Sequence, residues 1–460
     1  MKKLATVVSD LRLHTMLCCS AAVLLTACGG SAPETGNATQ SPMAAPSASV
    51  DTEQPVATLA TPLADATPAD DVAAFSTVLD DVAPASEAPA TRLDGAPQQL
   101  AMMDTGNVSP AAATIYHLYV STSGNDAASG SISAPFRTIG RAARAVKPST
   151  TVHVAAGTYR ENIKTTIHGT ATARIQYVSD TKWGAKIIGS GTEILWTNNA
   201  NYTDIRGFEM SGSGRIGVGN FASYTIVASN YIHHMMVSGG CTGSGGAGVV
   251  NANYNSSDGD IVGNVIHDIG VPGKCNGVQG IYSANLRGKI MNNIVFRASA
   301  WGIHLWHAAD NVLIANNTVF ANGTSSMGGG MMLGVGDSPG GRVLNNTRTI
   351  NNIVYKNPAY GIRQYCYSGQ NCIGSTNTTA NNLVFGNGTN VTMRVGSATG
   401  TVAADPQFVS YVVGPTGNFT LRSTSPAVNR GSATGAPSYD FNMVARPKGG
   451  AHDIGAYENF

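Results

Sequence analysis

Aromatic, imidazole and guanidinium side chains recur at matching places in five short segments that begin with glycine. The segments are Gly248-Val249, Gly280-Ile281, Gly302-Ile303, Gly330-Met331 and Gly361-Ile362. If each segment starts a strand, alternation turns the apolar residues inward and a second set of residues outward. This outward set comprises Val250, Tyr282, His304, Trp306, Met332, Arg363, Tyr365 and Arg394. The pattern predicts one exposed face that carries rings and cations.

These types of side chain suit the recognition of an acidic sugar. Aromatic rings stack on sugar faces, and arginine pairs with carboxylates in bidentate fashion. The candidate substrate-binding residues are Tyr282, Trp306, His307, Tyr365 and Arg394. The alternative is a repetitive surface that carries these residues without binding a ligand.

Acid–base chemistry on this face would need a titratable group beside it. Lys274 is the best single base candidate, because it lies next to Cys275 in an expanded segment before Gly280. Long loops beside a rigid element are where function usually lies. His304 and Arg363 complete the candidate catalytic set. His304 or Tyr282 would act as acid or base, and Arg363 or Arg394 would pair with a carboxylate. The alternative for Lys274 is a solvated loop lysine.

A sequence repeat must position these residues. Six segments follow the pattern Asn-x-(Ile/Val)-(aromatic or His), and they start at Asn230, Asn264, Asn293, Asn317, Asn352 and Asn382. An earlier segment puts Gly207 in the Asn place, 23 residues before Asn230. A unit of this length with variable loops is typical of a solenoid. The Asn amides of neighbouring coils would then bond to one another.

Three short strands are predicted for each coil of this solenoid. One apolar strand precedes each repeated Asn, a second follows it, and the third is the glycine-led strand. We therefore predict an all-β fold, a right-handed parallel β-helix. The runner-up is a β-propeller, which would need longer blades of roughly 40–45 residues.

His233 and His267 fall in the aromatic column of this repeat, beside Phe296 and Phe320. We expect them to be members of a stack rather than catalysts. The His233-His234 pair together with His267-Asp268 resembles a metal site, but the sequence shows no obvious third ligand.

Charge is distributed unevenly along the chain. The 460 residues include 28 Lys+Arg and 27 Asp+Glu, a net charge of +1. Residues 1–30 carry +2, and residues 31–112 carry −10 because eleven acidic residues accompany Arg92 alone, so the remainder carries +9. A basic domain in an exported protein favours an anionic glycan as partner, and we expect no nucleic acid.

The N-terminus has the pattern of an export signal. Lys2 and Lys3 precede an apolar stretch over residues 16–27, and the string Leu-Thr-Ala-Cys-Gly that ends at Gly29 resembles a bacterial lipobox. This predicts cleavage before Cys28, lipidation of its thiol and anchoring in the outer membrane. We also expect the protein to be a monomer. The alternative is an ordinary signal peptide. Residues 31–112, rich in Ala, Pro, Thr and Ser, are predicted to be a disordered tether.

Four cysteines follow Cys28, namely Cys241, Cys275, Cys366 and Cys372. An even number in an oxidising compartment indicates two disulfides. Cys241 and Cys275 lie at matching places in neighbouring coils, whereas Cys366 and Cys372 are near enough to close a small loop.

Several blocks of the sequence resemble the pectate-lyase-like right-handed β-helix superfamily. The blocks are residues 119–126, 135–139 and 152–161 near the start, and residues 425–429 and 453–458 near the end. Between the first blocks, apolar residues at helical spacing from Ile139 to Val146 predict a short helix that caps the open end of the solenoid. The resulting division is 1–27 signal peptide, 28–112 tether, 113–400 β-helix and 401–460 C-terminal cap.

The resemblance implies a polysaccharide lyase that cleaves a uronate-containing glycan by β-elimination. It also implies Ca²⁺, for which Asp258, Asp260 and Asp268 are the candidate ligands. Asp260 also matches Asn311, a turn residue of a later coil, which favours a plain turn role. A uronate C5-epimerase shares the proton-abstraction step, and a non-catalytic glycan-binding envelope lipoprotein is the other alternative. A glycoside hydrolase would need paired carboxylates, and none falls in the outward set.

Overall fold

Three parallel sheets form the body of the protein. The computed structural model describes residues 114–237, 245–335, 342–366 and 371–459. The export signal, the tether, Cys28 and Cys241 therefore lie outside the described residues. The described part of the chain contains no helix long and apolar enough to cross a membrane.

The chain visits the three sheets in turn, once in each coil. Sheet 1 contains β1 (Tyr116–Val120), β2 (Thr150–Val154), β5 (Ile175–Ser179), β8 (Thr203–Arg206), β11 (Ile226–Ala228), β14 (Asp260–Val262), β17 (Lys289–Met291), β20 (Leu313–Ala315), β23 (Arg348–Ile350), β26 (Thr378–Ala380) and β29 (Ala398–Thr399). Sheet 2 contains β3 (Gly157–Tyr159), β6 (Ala185–Gly189), β9 (Glu209–Gly212), β12 (Tyr231–Met235), β15 (Val265–Ile269), β18 (Ile294–Ala298), β21 (Thr318–Phe320), β24 (Ile353–Tyr355) and β27 (Leu383–Phe385). Sheet 3 contains β4 (Ile163–Thr165), β7 (Ile194–Asn198), β10 (Ile216–Asn220), β13 (Gly246–Asn251), β16 (Val278–Ser283), β19 (Trp301–Leu305), β22 (Gly329–Val335), β25 (Tyr360–Cys366) and β28 (Thr389–Thr392). The predicted right-handed parallel β-helix with three strands per coil is confirmed.

The predicted capping helix is α1 (Ile139–Ala143), one turn shorter than its apolar spacing predicted. The Thr138 hydroxyl accepts a hydrogen bond from the Arg141 N–H and caps its first turn. Ile139, Ala142 and Ala143 are buried against the first coils.

The repeated asparagines form the predicted ladder. From Asn230 to Asn382, each side-chain amide donates to the Oδ1 atom of the next Asn at 2.9–3.1 Å. The left-handed conformation falls on the residue before each ladder Asn, for example Gly263 or Asn292. Gly207 (φ 77°) lies in that column, so Phe208, and not Gly207, occupies the Asn place.

Two further asparagine ladders were not predicted. Asn198, Asn220 and Asn251 lie at the ends of sheet 3 strands, and their amide-to-Oδ1 distances are 2.9 Å. Asn322, Asn357 and Asn387 line the turn between sheets 2 and 3, at 3.1 and 2.9 Å. Because a buried amide without a partner is costly, each ladder fixes the register between neighbouring coils.

The glycine that recurs at the second or third residue of sheet 3 strands β13, β16 and β19 is required by space. A Cβ atom at Gly302 would lie 2.5 Å from the Val319 side chain and 2.9 Å from the Gly330 carbonyl oxygen. Gly248 and Gly280 are equally crowded, at 2.4 Å from Ile266 and Val295. The interior Val or Ile of sheet 2 therefore packs directly on the backbone of sheet 3. This explains why Gly recurs in the sequence beside each apolar residue that points inward.

The C-terminal segment packs along the outside of sheet 2. After β29 the chain adds a small antiparallel pair, β30 (Phe408–Ser410) and β31 (Asn418–Leu421). Its apolar residues cover an aromatic column whose members include Phe296, Phe320 and Tyr355. Phe419 lies 4.5 Å from Phe320, centroid to centroid.

Candidate functional site

One column of side chains runs across the outward side of sheet 3. The strand register aligns Val250, Tyr282, His304, Met332 and Arg363 on five neighbouring coils. These are five of the eight residues that alternation assigned to the outward set. The other three, Trp306, Tyr365 and Arg394, follow farther along the chain at the end of this sheet or just beyond it.

Most of this column is buried, and the expectation of an exposed face is wrong there. Tyr282 is 3% exposed, His304 4% and Trp306 1%. His307, on the turn after β19, is also buried. Alternation decides which side of a strand a residue faces, but it does not reveal what packs on that side. Here a second apolar cluster lies outside the sheet and includes Phe221 and Trp301.

His304 is the most unusual residue of this cluster. Its ring packs edge-on against Tyr282 and Trp306, with both centroid distances at 5.3 Å. Within the described part of the chain, His304 Nδ1 and Nε2 and the nearby Trp306 Nε1 are buried and make no hydrogen bond. Burial, aided by the neighbouring His307, lowers the pKa of His304 from 6.5 to about 3. Buried polar atoms are normally paired, so this unpaired trio distinguishes the cluster from ordinary apolar packing.

The low pKa of His304 predicts an acid-sensitive contribution to stability. Because the folded-state pKa lies below the unfolded value of 6.5, the unfolded chain binds more protons below pH 6.5. The contribution is complete above pH 6.5 and is lost as the pH falls through the folded-state pKa of about 3, by roughly 5 kcal/mol in total. In urea unfolding at several pH values, the free energy of unfolding of His304→Gln should decrease less on acidification than that of the native chain. Parallel curves for the two proteins would contradict the burial of a neutral imidazole.

Arg363 is held between two aromatic rings. Its guanidinium carbon lies 4.3 Å from the Tyr360 ring centroid and 5.0 Å from that of Tyr365. Tyr365 in turn stacks on Trp306 at 5.9 Å. Arg363 and Tyr365 are half-buried, so the cation is oriented by the rings and still reached by solvent. Sequence reasoning missed Tyr360, although an aromatic residue three positions before Arg363 in a strand start was the available signal.

The remaining sequence candidates near sheet 3 lie at its margins. Lys274 is exposed on the loop that leads into β16, the strand that carries Tyr282. Arg394 is exposed after β28, and its N–H donates to the Gln364 side chain at 2.8 Å. Cys366 and Cys372 form the predicted disulfide at the end of β25, beside Tyr365. Cys275 is buried, and its predicted partner Cys241 lies outside the described residues.

The three aspartates predicted to bind Ca²⁺ are not brought together. Asp258 pairs with Arg287 at 2.9 Å, and Asp260 accepts the Lys289 N–H at 2.9 Å. Asp268 pairs with Arg297, and both of these residues lie on sheet 2, whereas Asp260 lies on sheet 1. Each carboxylate already serves a turn or an ion pair, so the three do not form a common oxygen-rich cage of the kind that Ca²⁺ prefers.

A second polar cluster lies on the outward side of sheet 2, at one end of the aromatic column. His233 stacks on His267 at 5.4 Å, and His267 stacks on Phe296 at 4.6 Å, as the sequence predicted. Among the described residues, one group of three His, Cys, Asp or Glu side chains has its ligand atoms within 4.8 Å of one another, and it is His234, His267 and Asp268. All three residues belong to the two dipeptides, His233-His234 and His267-Asp268, that the sequence indicated, and the structure shows which of the four side chains converge.

A short part of the chain matches a known sequence family. Residues 122–182 match the family described as Protein of unknown function, DUF1565. No curated protein matches the chain in sequence.

Several solved structures resemble the chain. Pectate lyase Pel9A aligns with a TM-score of 0.55 at 19% identity, over 76% of this chain and 98% of that one. An alginate lyase from Paenibacillus aligns with a TM-score of 0.37 at 18% identity, over 58% of this chain and 96% of that one. The A-module of a mannuronan C-5 epimerase from Azotobacter vinelandii aligns with a TM-score of 0.35 at 15% identity, over 55% and 66%. The coil architecture and the likeness to the first of these show that the chain has the fold of a right-handed parallel β-helix.

Proposed function

We propose that this protein is a polysaccharide lyase that cleaves an acidic, uronate-containing glycan on the outward side of sheet 3. The observation that carries the proposal is the ring-clamped Arg363, a half-buried guanidinium on the outward side of sheet 3 that solvent still reaches. A uronate offers its carboxylate to this guanidinium. The fold, shared with a pectate lyase, supports the same conclusion.

Charge supports an anionic ligand. The part of the chain beyond residue 112 carries a net charge of +9. The column of sheet 3 contributes Arg363 and no carboxylate. A carboxylate that meets Arg363 would gain two parallel hydrogen bonds, the strongest neutralisation that a side chain offers.

The reaction we assign to the site is β-elimination. We assign Lys274 as the base that takes the proton from C5 of the uronate. Arg363 neutralises the adjacent carboxylate, which stabilises the negative charge that develops at C5. The electron pair left at C5 forms the C4–C5 double bond as the bond from C4 to the leaving oxygen breaks, and that oxygen takes a proton from solvent. His304 stays neutral and buried, and its ring packs against Tyr282 and Trp306 on the outward side of sheet 3.

A panel of glycans tests the proposal. The purified protein is incubated with pectate, alginate, glucuronan and glycosaminoglycans, with and without Ca²⁺, and unsaturated product is followed by ultraviolet absorbance. We expect product from at least one glycan, and its loss in His304→Ala and Lys274→Ala. Absence of product from all of them would overturn the lyase assignment for these glycans.

Two further measurements separate the alternatives. Incubation in D₂O followed by NMR detects deuterium at C5 of an uncleaved chain, the signature of a C5-epimerase. Titration calorimetry detects binding without turnover, the signature of a glycan-binding protein. If none of the glycans binds at all, the outward side of sheet 3 is not a glycan site of this class.

A further inference from the structure

The polar cluster on sheet 2 lies apart from the proposed glycan site. His234 follows His233 on β12, and His267 and Asp268 occupy the matching places on β15, one coil later. His234 Nε2 lies 3.9 Å from Asp268 Oδ2, and His267 Nδ1 is in direct contact with the same oxygen. The stacking of two coils thus brings two imidazoles and one carboxylate to a single point.

The backbone at this point is ordinary for the fold. His234 (φ 48°) and Asp268 (φ 53°) are in the left-handed region, but Arg297, Ala321 and Lys356 are too, at the equivalent place of the following coils. Each coil turns at this position whatever residue it carries. The identity of the side chains, and not strain, distinguishes these two coils from the others.

Each imidazole of the cluster is supported from behind by its second nitrogen. His267 Nε2 lies 2.8 Å from the Tyr231 hydroxyl oxygen. The His234 ring contacts His233, with their Nδ1 atoms 2.8 Å apart, and His233 Nε2 lies 3.4 Å from Glu209 Oε1. Histidines that bind a metal ion characteristically use the other ring nitrogen in this way, which fixes the tautomer and the ring orientation.

We propose that His234, His267 and Asp268 form a binding site for a divalent transition metal ion such as Zn²⁺. Two imidazole nitrogens and one carboxylate oxygen suit Zn²⁺ and its neighbours, whereas Ca²⁺ takes oxygen ligands. Three protein ligands leave a position for water, and the exposed ring of His234 makes that position reachable from solvent. The ion would tie β12 to β15.

Arg297 sets a limit on the affinity of this site. Its guanidinium contacts Asp268 Oδ2 and donates to the Val413 carbonyl oxygen at 2.8 Å. A cation beside a ligand carboxylate weakens metal binding through charge repulsion. We therefore expect dissociation constants in the micromolar range, not the much tighter binding of closed structural zinc sites.

Metal titration of the purified full chain tests the proposal. After chelator treatment, Zn²⁺ is added in a calorimeter, and Co²⁺ binding is followed by visible absorption, which reports nitrogen and oxygen ligands around the ion. We expect one ion per chain, a rise in melting temperature with Zn²⁺, and at least a tenfold loss of affinity in His234→Gln. Because His234 is exposed, this variant should fold as the native chain does, and circular dichroism checks it.

A matched control separates this site from adventitious binding to other histidines. His117 Nδ1 and His153 Nε2 lie 3.0 Å apart near the start of the chain, with Asp180 2.9 Å from His153 Nδ1. His117→Gln should leave Zn²⁺ affinity unchanged. Undetectable binding to the native chain, equal binding to His234→Gln, or loss of binding in His117→Gln would each overturn the assignment.

Discussion

Replacing Arg363 by Lys should lower kcat/KM on the cleaved glycan by at least about 100-fold, equivalent to about 2.7 kcal/mol of transition-state stabilisation. The guanidinium is planar, and Tyr360 and Tyr365 hold its carbon at 4.3 and 5.0 Å from their ring centroids. An ammonium group cannot stack in this way or bind a carboxylate with two parallel bonds. Since charge develops beside the carboxylate only in the transition state, we expect the loss mainly in kcat.

Arg160→Lys is the matched control for this experiment. Arg160 is exposed and lies between β3 and β4, seven coils before the coil that carries Arg363. The same chemical change there should leave kcat/KM within twofold of the native value. Equal activity of Arg363→Lys and the native chain would remove Arg363 from the reaction, and a change in KM alone would reduce its role to uniform binding.

The fold was predictable because its constraints repeat along the chain. The ladder asparagines and the inward Val or Ile recur in coil after coil. The asparagines recur because they hydrogen-bond to one another, and the Val or Ile recur because they pack on the backbone of sheet 3. The ladders through Asn220 and Asn357 escaped detection since they include only three coils each, with loops of unequal length between them. A short ladder leaves too few repeats to distinguish a column from chance.

For the candidate site, strand alternation predicted which side of sheet 3 each residue faces and nothing more. Alternation assigned Tyr282, His304 and Arg363 to one side of sheet 3, and the register aligns them. Their burial depends on packing from outside the sheet, which leaves no periodic trace in the sequence. The contact between His234 and Asp268 likewise depends on the register of two coils 34 residues apart, set by an intervening loop. The side of a strand that a residue faces follows from the local sequence pattern. Contacts between outward side chains of different coils can be seen only in the structure.

Replacing Glu458 by Gln should destabilise the protein by about 3–5 kcal/mol, the cost of leaving a buried charge unpaired. Glu458 Oε2 accepts a hydrogen bond from Arg446 Nη1 at 2.6 Å, and both side chains are fully buried. Arg446 Nη2 also reaches the Gly455 carbonyl at 2.9 Å and Asn292 Oδ1 at 3.4 Å, which connects the C-terminal segment to the coil stack. Burial lowers the pKa of Arg446 despite this carboxylate, so the cation depends on Glu458 for compensation.

The change should first release the C-terminal segment, because Arg446 and Glu458 both belong to it, and the aromatic column of sheet 2 would lose its cover. Urea unfolding gives the free-energy change, and limited proteolysis reports whether the segment around Arg446 opens before the coils do. Glu193→Gln is the matched control: Glu193 is 76% exposed and lies 4.0 Å from Arg215, so its loss should cost under about 1 kcal/mol. Similar destabilisation by the two variants would mean that the Arg446–Glu458 pair does not hold the segment, and that its apolar contacts with Phe320 and Tyr355 suffice.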